Sequence, residues 1–246
     1  MSSVSLDALT DQIRVRTAEV QARIEAACAR SGRSPDTVTL IAVTKTFPVE
    51  VVQAAVAAGL RDFGENRVQE LVAKSDVLPG EVLAGAIRWH LIGSLQRNKA
   101  RDAAARADLF HALDSMRLAE ALDKRAAQEE RVLPCLVQVN VSGEDTKSGV
   151  EPDAVHAFVD DLAAFAHLRV LGLMTLAAPA ASPEEVDTLV RPQFRHLRRL
   201  AESYGGANPH ATTTMLSMGM SGDYEVAIEE GATHVRLGTA LFGARG

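Results

Sequence analysis

Eight short runs of β-branched and other apolar residues, each followed by a stretch with helical spacing, constrain this chain more than any other feature. The first, Val38 to Thr44, carries no charge on either face, the pattern of a strand buried on both sides of a parallel sheet. Pro48 then opens a helix at its first position and Gly59 closes it. The same alternation continues through strands at Arg61 to Gly64, Ile87 to Ile92, Leu109 to Ala112, Pro134 to Val141, Leu168 to Leu173, Thr212 to Leu216 and His234 to Leu237. No composition shift marks a linker. The chain has 246 residues, close to the roughly 250 of a (β/α)8 barrel. The pattern predicts an α/β fold, one (β/α)8 TIM barrel filling residues 1–246 as a single domain. Ahead of it, Leu6, Leu9, Ile13, Val20, Ile24 and Ala27 recur at helical spacing, with Ser5 to cap and Gly32 to stop, so residues 1–32 supply a helix packed on the barrel.

Charge and cysteine usage narrow the function. The net charge is −6 with a pI near 5.7, a field that repels nucleic acid and anionic membrane. The N-terminus has alternating charges and no apolar core of a signal, and no run approaches the roughly 18 apolar residues that span a bilayer. Cys28 and Cys135 lack metal-ligand spacing and read as reduced core residues. A cytoplasmic location is expected. No His, Cys and Asp set has metal spacing, and no serine sits in a nucleophile elbow.

Chemistry points to strand ends. Lys45 ends the first strand and shares its face with Thr39, Ile41 and Val43. An amine beside an apolar wall loses solvation of its charged form and becomes a usable nucleophile toward a carbonyl, which is Schiff-base chemistry; the ordinary alternative is a solvated loop charge. Barrels commonly hold phosphate in the loops after strands seven and eight. Here those loops read Ser217-Met218-Gly219-Met220-Ser221-Gly222 and Gly238-Thr239-Ala240-Leu241-Phe242-Gly243, with small residues for close amide approach and hydroxyls at Ser217, Ser221 and Thr239 to donate. Arg236 lies on the last strand with Val235 and Leu237 on the opposite face; an arginine there must be paired, and an ion pair is the ordinary expectation. Asn66 reads as a helix cap, Trp89 and His90 as core, and Arg191, Arg195, Arg198 and Arg199 as one solvated helix face. Pro192 either kinks that helix or starts a second one.

Several of these segments together closely resemble the pyridoxal phosphate homeostasis protein family, the YggS-like proteins. They are Leu40-Ile41-Ala42-Val43-Thr44-Lys45-Thr46, Phe63-Gly64-Glu65-Asn66, Trp89-His90-Leu91-Ile92-Gly93, Lys147-Ser148-Gly149, Gly172-Leu173-Met174, Leu216 to Ser221 and Arg236-Leu237-Gly238-Thr239. The resemblance implies an alanine-racemase-like barrel that holds pyridoxal 5′-phosphate (PLP) as a Schiff base on Lys45. It also implies a phosphate cup of Ser217, Gly219, Ser221, Gly238 and Thr239, Arg236 facing the pyridine nitrogen, and Asn66 near the cofactor. Thr44 stands where the family often has serine. The implied role is cofactor buffering or delivery by a monomer, with PLP and PLP-dependent apoenzymes as partners and no catalytic residue assigned. A PLP-dependent racemase or decarboxylase is the alternative, and a sugar-phosphate aldolase using Lys45 a third reading. Resembled racemases take a second base, a tyrosine, from an added C-terminal domain; this chain reaches Gly246 soon after the eighth strand and has only Tyr204 and Tyr224, so poor turnover is expected.

Overall fold

A computed structural model describes residues 5–78, 87–144, 148–206 and 208–243; Lys147, singled out above, lies outside them. Eight parallel strands close into a barrel in sequence order: β1 (Thr39–Val43), β2 (Asp62–Glu65), β3 (Arg88–Leu91), β4 (Leu109–Leu113), β5 (Leu133–Gln138), β6 (Leu168–Met174), β7 (Ala211–Ser217) and β8 (His234–Leu237). The ladder between β1 and β8 sets Ile41 opposite Arg236 and Ala42 opposite Leu237. Strand β1 stops one residue short of the apolar run because Thr44 already belongs to a turn. Strand β5 stops at Gln138 because the chain folds back on itself, Val150 donating to the Gln138 carbonyl (2.8 Å) and Asn140 to that of Val150 (3.0 Å).

Strand alternation divides the residues into two layers. Ala42, Phe63, Leu91 and Phe110 point outward and pack with the helices, and Phe63 also meets Trp89 at 5.9 Å between ring centroids. The enclosing helices are α1 (Leu6–Arg30), α2 (Val49–Ala57), α3 (Val68–Val77), α4 (Ala100–Arg106), α5 (Met116–Gln128), α6 (Val155–Asp161), α7 (Arg191–Ser203), α8 (Tyr224–Glu229) and α9 (Thr239–Phe242). Cys28 and Cys135 are buried free thiols in this layer, and burial pushes the Cys135 thiol up to about 12.

The leading helix keeps its expected bounds. The Ser5 hydroxyl accepts from the Ala8 N–H at 3.2 Å, and Gly32 takes φ 67° where the helix ends. Its buried stripe, Ile13, Val20, Ile24, Ala27 and Cys28, packs against α2, α8 and α9. Arg30 bonds both Glu229 (2.6 Å) and Glu225 (3.0 Å), tying α1 to α8.

Two local expectations are corrected and one open alternative is decided. Pro48 is the cap of α2 and not its first residue, with extended backbone at φ −71°, ψ 166°. Pro192 interrupts a helix without starting a separate one: helical backbone continues from Pro183 to Ser203, and a π turn at Val186–Val190 just before Pro192 absorbs the break that its ring and missing N–H impose. The arginines of α7 are not merely solvated. Arg195 (2.8 Å), Arg191 (3.4 Å) and Arg198 (3.6 Å) all reach the nearly buried Glu230, a contact between elements that helical spacing cannot reveal.

Strands β6 and β7 approach so closely at the Gly172–Met215 pair that a β-carbon on Gly172 would collide with the Met215 carbonyl. Gly172→Ala is predicted to cost about 1–3 kcal/mol, read as a fall in thermal midpoint of roughly 2–4 °C per kcal/mol. Gly205→Ala, with nothing near the added carbon, should leave the midpoint unchanged.

Candidate functional site

A cleft of about 500 Å³ opens at the carboxyl ends of the strands, within the size range of small-molecule sites. Its apolar walls are Val43, Ile92, Leu176 and Met220, and its polar groups come from Lys45, Asn66, Ser94, Gln138, Ser221, Arg236 and Thr239.

Lys45 is half-buried in a tight turn closed by the Phe47 N–H donating to the Thr44 carbonyl (3.0 Å). Thr46 within that turn holds φ 69°, a left-handed conformation costly for a β-branched residue. A buried polar network behind the turn holds it there. The Thr44 hydroxyl donates to Glu65 Oε1 (2.7 Å), Lys74 Nζ donates to the Thr44 carbonyl (2.7 Å) and pairs with Glu65 Oε1 (2.6 Å), and the Thr46 N–H donates to Glu70 Oε2 (2.7 Å). Burial raises the Glu65 carboxyl above its usual range even though Lys74 and Thr44 oppose it. Strand β2 and helix α3 thereby lock the turn that presents Lys45.

Arg236 forms the floor. Its guanidinium is 4% exposed and donates to Ser217 Oγ (2.7 Å) and the Thr175 carbonyl (2.9 Å), both neutral acceptors. Among the described residues it has no salt bridge, against the ion pair expected of it. Burial lowers it to about 10, with the Asp223 charge acting the other way. Beneath it the barrel interior is polar where aliphatic layers are common: His90, His111 and His234 crowd together with ring centroids 5.2 to 6.3 Å apart. His90 is satisfied by Asp62 and His111, as a core histidine should be, and Trp89 is core. Burial holds His111 well below the ordinary imidazole value and His234 at about 4.

The loops after β7 and β8 meet at one wall. The Ala240 N–H donates to Ser221 Oγ (3.2 Å), which joins the two. The N–H groups of Ser221, Gly222 and Thr239 have no protein acceptor among the described residues. A side chain at Gly222 would meet nothing within 4 Å, so its absence leaves those amides approachable.

Six of the residues singled out from sequence line this cleft: Lys45, Asn66, Ser221, Arg236, Gly238 and Thr239. Two do not. Ser217 is fully buried beneath the floor, bonded to Arg236 and His111, and Gly219 packs against Tyr224 and Ala227 at φ 94° while its carbonyl accepts from the Arg236 N–H. Strand β7 ends at Ser217, so its side chain still points into the barrel below the mouth. Asn66 caps no helix; Arg67 holds that position. Sequence reasoning missed Gln138, Leu176 and His111. For His111 a signal existed: it alternates with Phe110 and Ala112 on an apolar strand, and so must face inward.

A family model described as the alanine racemase N-terminal domain matches residues 15–246. The pyridoxal phosphate homeostasis protein of Aquifex aeolicus is 43% identical over 94% of this chain and 97% of its own. The chain belongs to the pyridoxal phosphate homeostasis protein family. PipY of Synechococcus elongatus, solved with PLP bound, is similar at 36% identity and TM-score 0.76 over 94% of this chain and all (100%) of that one. An alanine racemase from Corynebacterium glutamicum, 20% identical, shares the fold alone: TM-score 0.67 over 98% of this chain and 62% of that one.

The polar interior of this family member sets a pH dependence. Folded His234 stays neutral down to about pH 4, whereas the unfolded residue takes up a proton below 6.5. The unfolded state then binds more protons, so stability is predicted to fall between pH 6.5 and 4. Asp62 behaves as a carboxylate held low: burial raises it, but hydrogen bonds from His90 and Arg88 bring it to about 2, so its contribution is lost from 3.8 down through 2. Urea titrations across this range check both steps, and His234→Asn should reduce the upper one without abolishing it, because His111 is also held low by burial.

Proposed function

We propose that the chain binds pyridoxal 5′-phosphate in this cleft and serves PLP homeostasis, buffering the cofactor or delivering it to PLP-dependent apoenzymes. One observation carries the reading: an amine, a buried guanidinium and two amide-bearing small-residue loops converge on one cleft in a chain closely similar to proteins of that name. When bound, PLP supplies an aldehyde that a primary amine can condense with, and Lys45 is the residue assigned to hold it there. Ser221, Gly222, Gly238 and Thr239 receive the phosphate, their amides and hydroxyls donating to an anion. Arg236 directs its remaining N–H groups at the ring nitrogen, and Asn66 borders the ring. Gly219 and Ser217 act from behind, one shaping the loop and the other steadying Arg236. Val43, Ile92 and Leu176 exclude water from one side.

Holding, not turnover, is the activity proposed. Tyr204 donates to Asp160 (2.7 Å) and Tyr224 is buried against α1, so neither tyrosine lines the cleft to serve as a base. Cytoplasmic action belongs to the same proposal: both cysteines are free thiols, and no helix among the described residues is long and apolar enough to cross a membrane.

Borohydride reduction of the PLP-loaded protein should fix the label on Lys45, and Lys45→Ala should abolish it; a peptide map with the label mainly on another lysine would overturn the assignment. Loss of one charge-assisted donor is worth about 1.5–3 kcal/mol, so Ser221→Ala or Thr239→Ala should weaken PLP binding roughly tenfold or more. Pyridoxal binding as tightly as PLP would displace the phosphate from these loops. Turnover of L- or D-alanine at about 1 s⁻¹ or faster, within the enzyme range, would replace the carrier with an enzyme.

A further inference from the structure

Arg236 ends a continuous buried chain of side chains that crosses the barrel interior. Its Nη1 meets Ser217 Oγ at 2.7 Å, Ser217 Oγ meets His111 Nδ1 at 2.9 Å, His111 Nε2 meets His90 Nδ1 at 2.9 Å, and His90 Nε2 meets Asp62 Oδ1 at 3.0 Å. Asp62 is clasped in turn by Arg88 through two bonds of 2.6 Å. Ser217 and His111 are 0% exposed and His90 3%, so all three are shielded from bulk solvent.

The direction of every bond follows from valence. A guanidinium only donates, so Ser217 accepts from Arg236 and has one hydroxyl proton left, for His111 Nδ1. At the far end an ionised carboxylate only accepts, so His90 Nε2 carries the proton. A neutral imidazole has one N–H; His90 Nδ1 therefore accepts, His111 Nε2 donates, and His111 Nδ1 accepts from Ser217. The carboxylate end sets this order for neutral imidazoles, and the arginine end agrees with it: every member of the chain is then satisfied, whereas a serine accepting from both neighbours would leave its own proton unused. A proton added at His90 would reverse the middle bonds and strand the Ser217 hydroxyl proton in the interior, at the cost of an unmade buried hydrogen bond.

We propose that His111 is a positioning residue for Arg236: held as the Nε2–H tautomer by His90 and Asp62, it takes the Ser217 hydroxyl proton and so aims the serine lone pair at the guanidinium. Together with the Thr175 carbonyl, which anchors Nη2 at 2.9 Å, this fixes the plane of Arg236 and the direction of the N–H groups left for the cleft. The consequence for cofactor affinity rests on the PLP reading; the orientation of Arg236 does not.

The test begins with the full-length protein free of ligand. Nitrogen-15 NMR at neutral pH should show His111 and His90 both as neutral Nε2–H tautomers, with Arg236 guanidinium signals in slow exchange. His111→Phe should bring the Arg236 signals into fast exchange, while His111→Asn, whose carboxamide oxygen can take the serine proton, should restore them. In PLP titrations His111→Phe should lose about tenfold in affinity, the scale of one buried hydrogen bond to a charged group, with His111→Asn recovering most of it and Ser217→Ala adding nothing to His111→Phe. An Nδ1–H tautomer at His111, or Arg236 signals unchanged in a folded His111→Phe protein, overturns the proposal. Should His111→Phe fail to fold, the wild-type tautomers and Ser217→Ala decide it by the same signals. Expected tautomers in a protein that binds no PLP would sink the cofactor reading and leave this one standing.

Discussion

The hydrogen-bonded ladder between the first and last strands is the constraint on which the rest of the structure depends. It sets Ile41 opposite Arg236, and so brings the turn carrying Lys45 beside the loop of Gly238 and Thr239, from opposite ends of the chain. Without closure the amine and the guanidinium would belong to two distant edges of an open sheet. The leading helix supports the same seam, since α1 packs against α2 on one side and α8 and α9 on the other, with ion pairs at its exposed rim. Surface pairs of that kind contribute little each; the buried stripe of α1 contributes more, by removing apolar area from water.

Closure also obliges the barrel to accommodate charge in its interior. Among the described residues Arg236 is buried with no salt bridge, and its positive charge is solvated by a hydroxyl and a carbonyl, with the Asp223 charge further favouring it. Such an arrangement is costly for folding but keeps the full charge directed at whatever enters the cleft. The lysine turn uses the opposite device. There the buried Glu65–Lys74 pair meets through Glu65 Oε1, which also accepts from the Thr44 hydroxyl, while Lys74 donates to the Thr44 carbonyl and Glu65 Oε2 has no partner among the described residues. One polar cluster therefore aims a ligand-facing cation while the other holds a strained turn whose residue Thr46 would relax if released.

The loops differ in kind from both. Small residues at Ser221, Gly222 and Gly238 leave amides accessible, while Gly219 is required by φ 94° and by contact with Ala227. Two glycines three residues apart thus differ in kind, Gly222 leaving open space at the cleft and Gly219 setting backbone shape. Ser217, four residues before Ser221, is still the last residue of β7 and so points into the interior.

Alternation of buried strand and helix was legible in the chain because period-two and period-3.6 patterns are local properties. Strand count, parallel order, the leading helix with its cap, and the placement of Lys45, Asn66, Ser221, Arg236, Gly238 and Thr239 at strand ends all follow from it. What the sequence could not carry is anything decided by register between distant strands. Ser217 reads as a loop donor beside Ser221, yet one further residue of strand turns it under the floor. His90 reads as an ordinary core residue and His111 carries only a signal of alternation, and only the barrel's stagger lines them up between Asp62 and Ser217. The arginines of α7 read as solvated because Glu230 lies at the end of another helix, just past α8. Periodicity states which face a side chain takes; the partner it meets there depends on closure and shear, which belong to the whole barrel and to no segment of it.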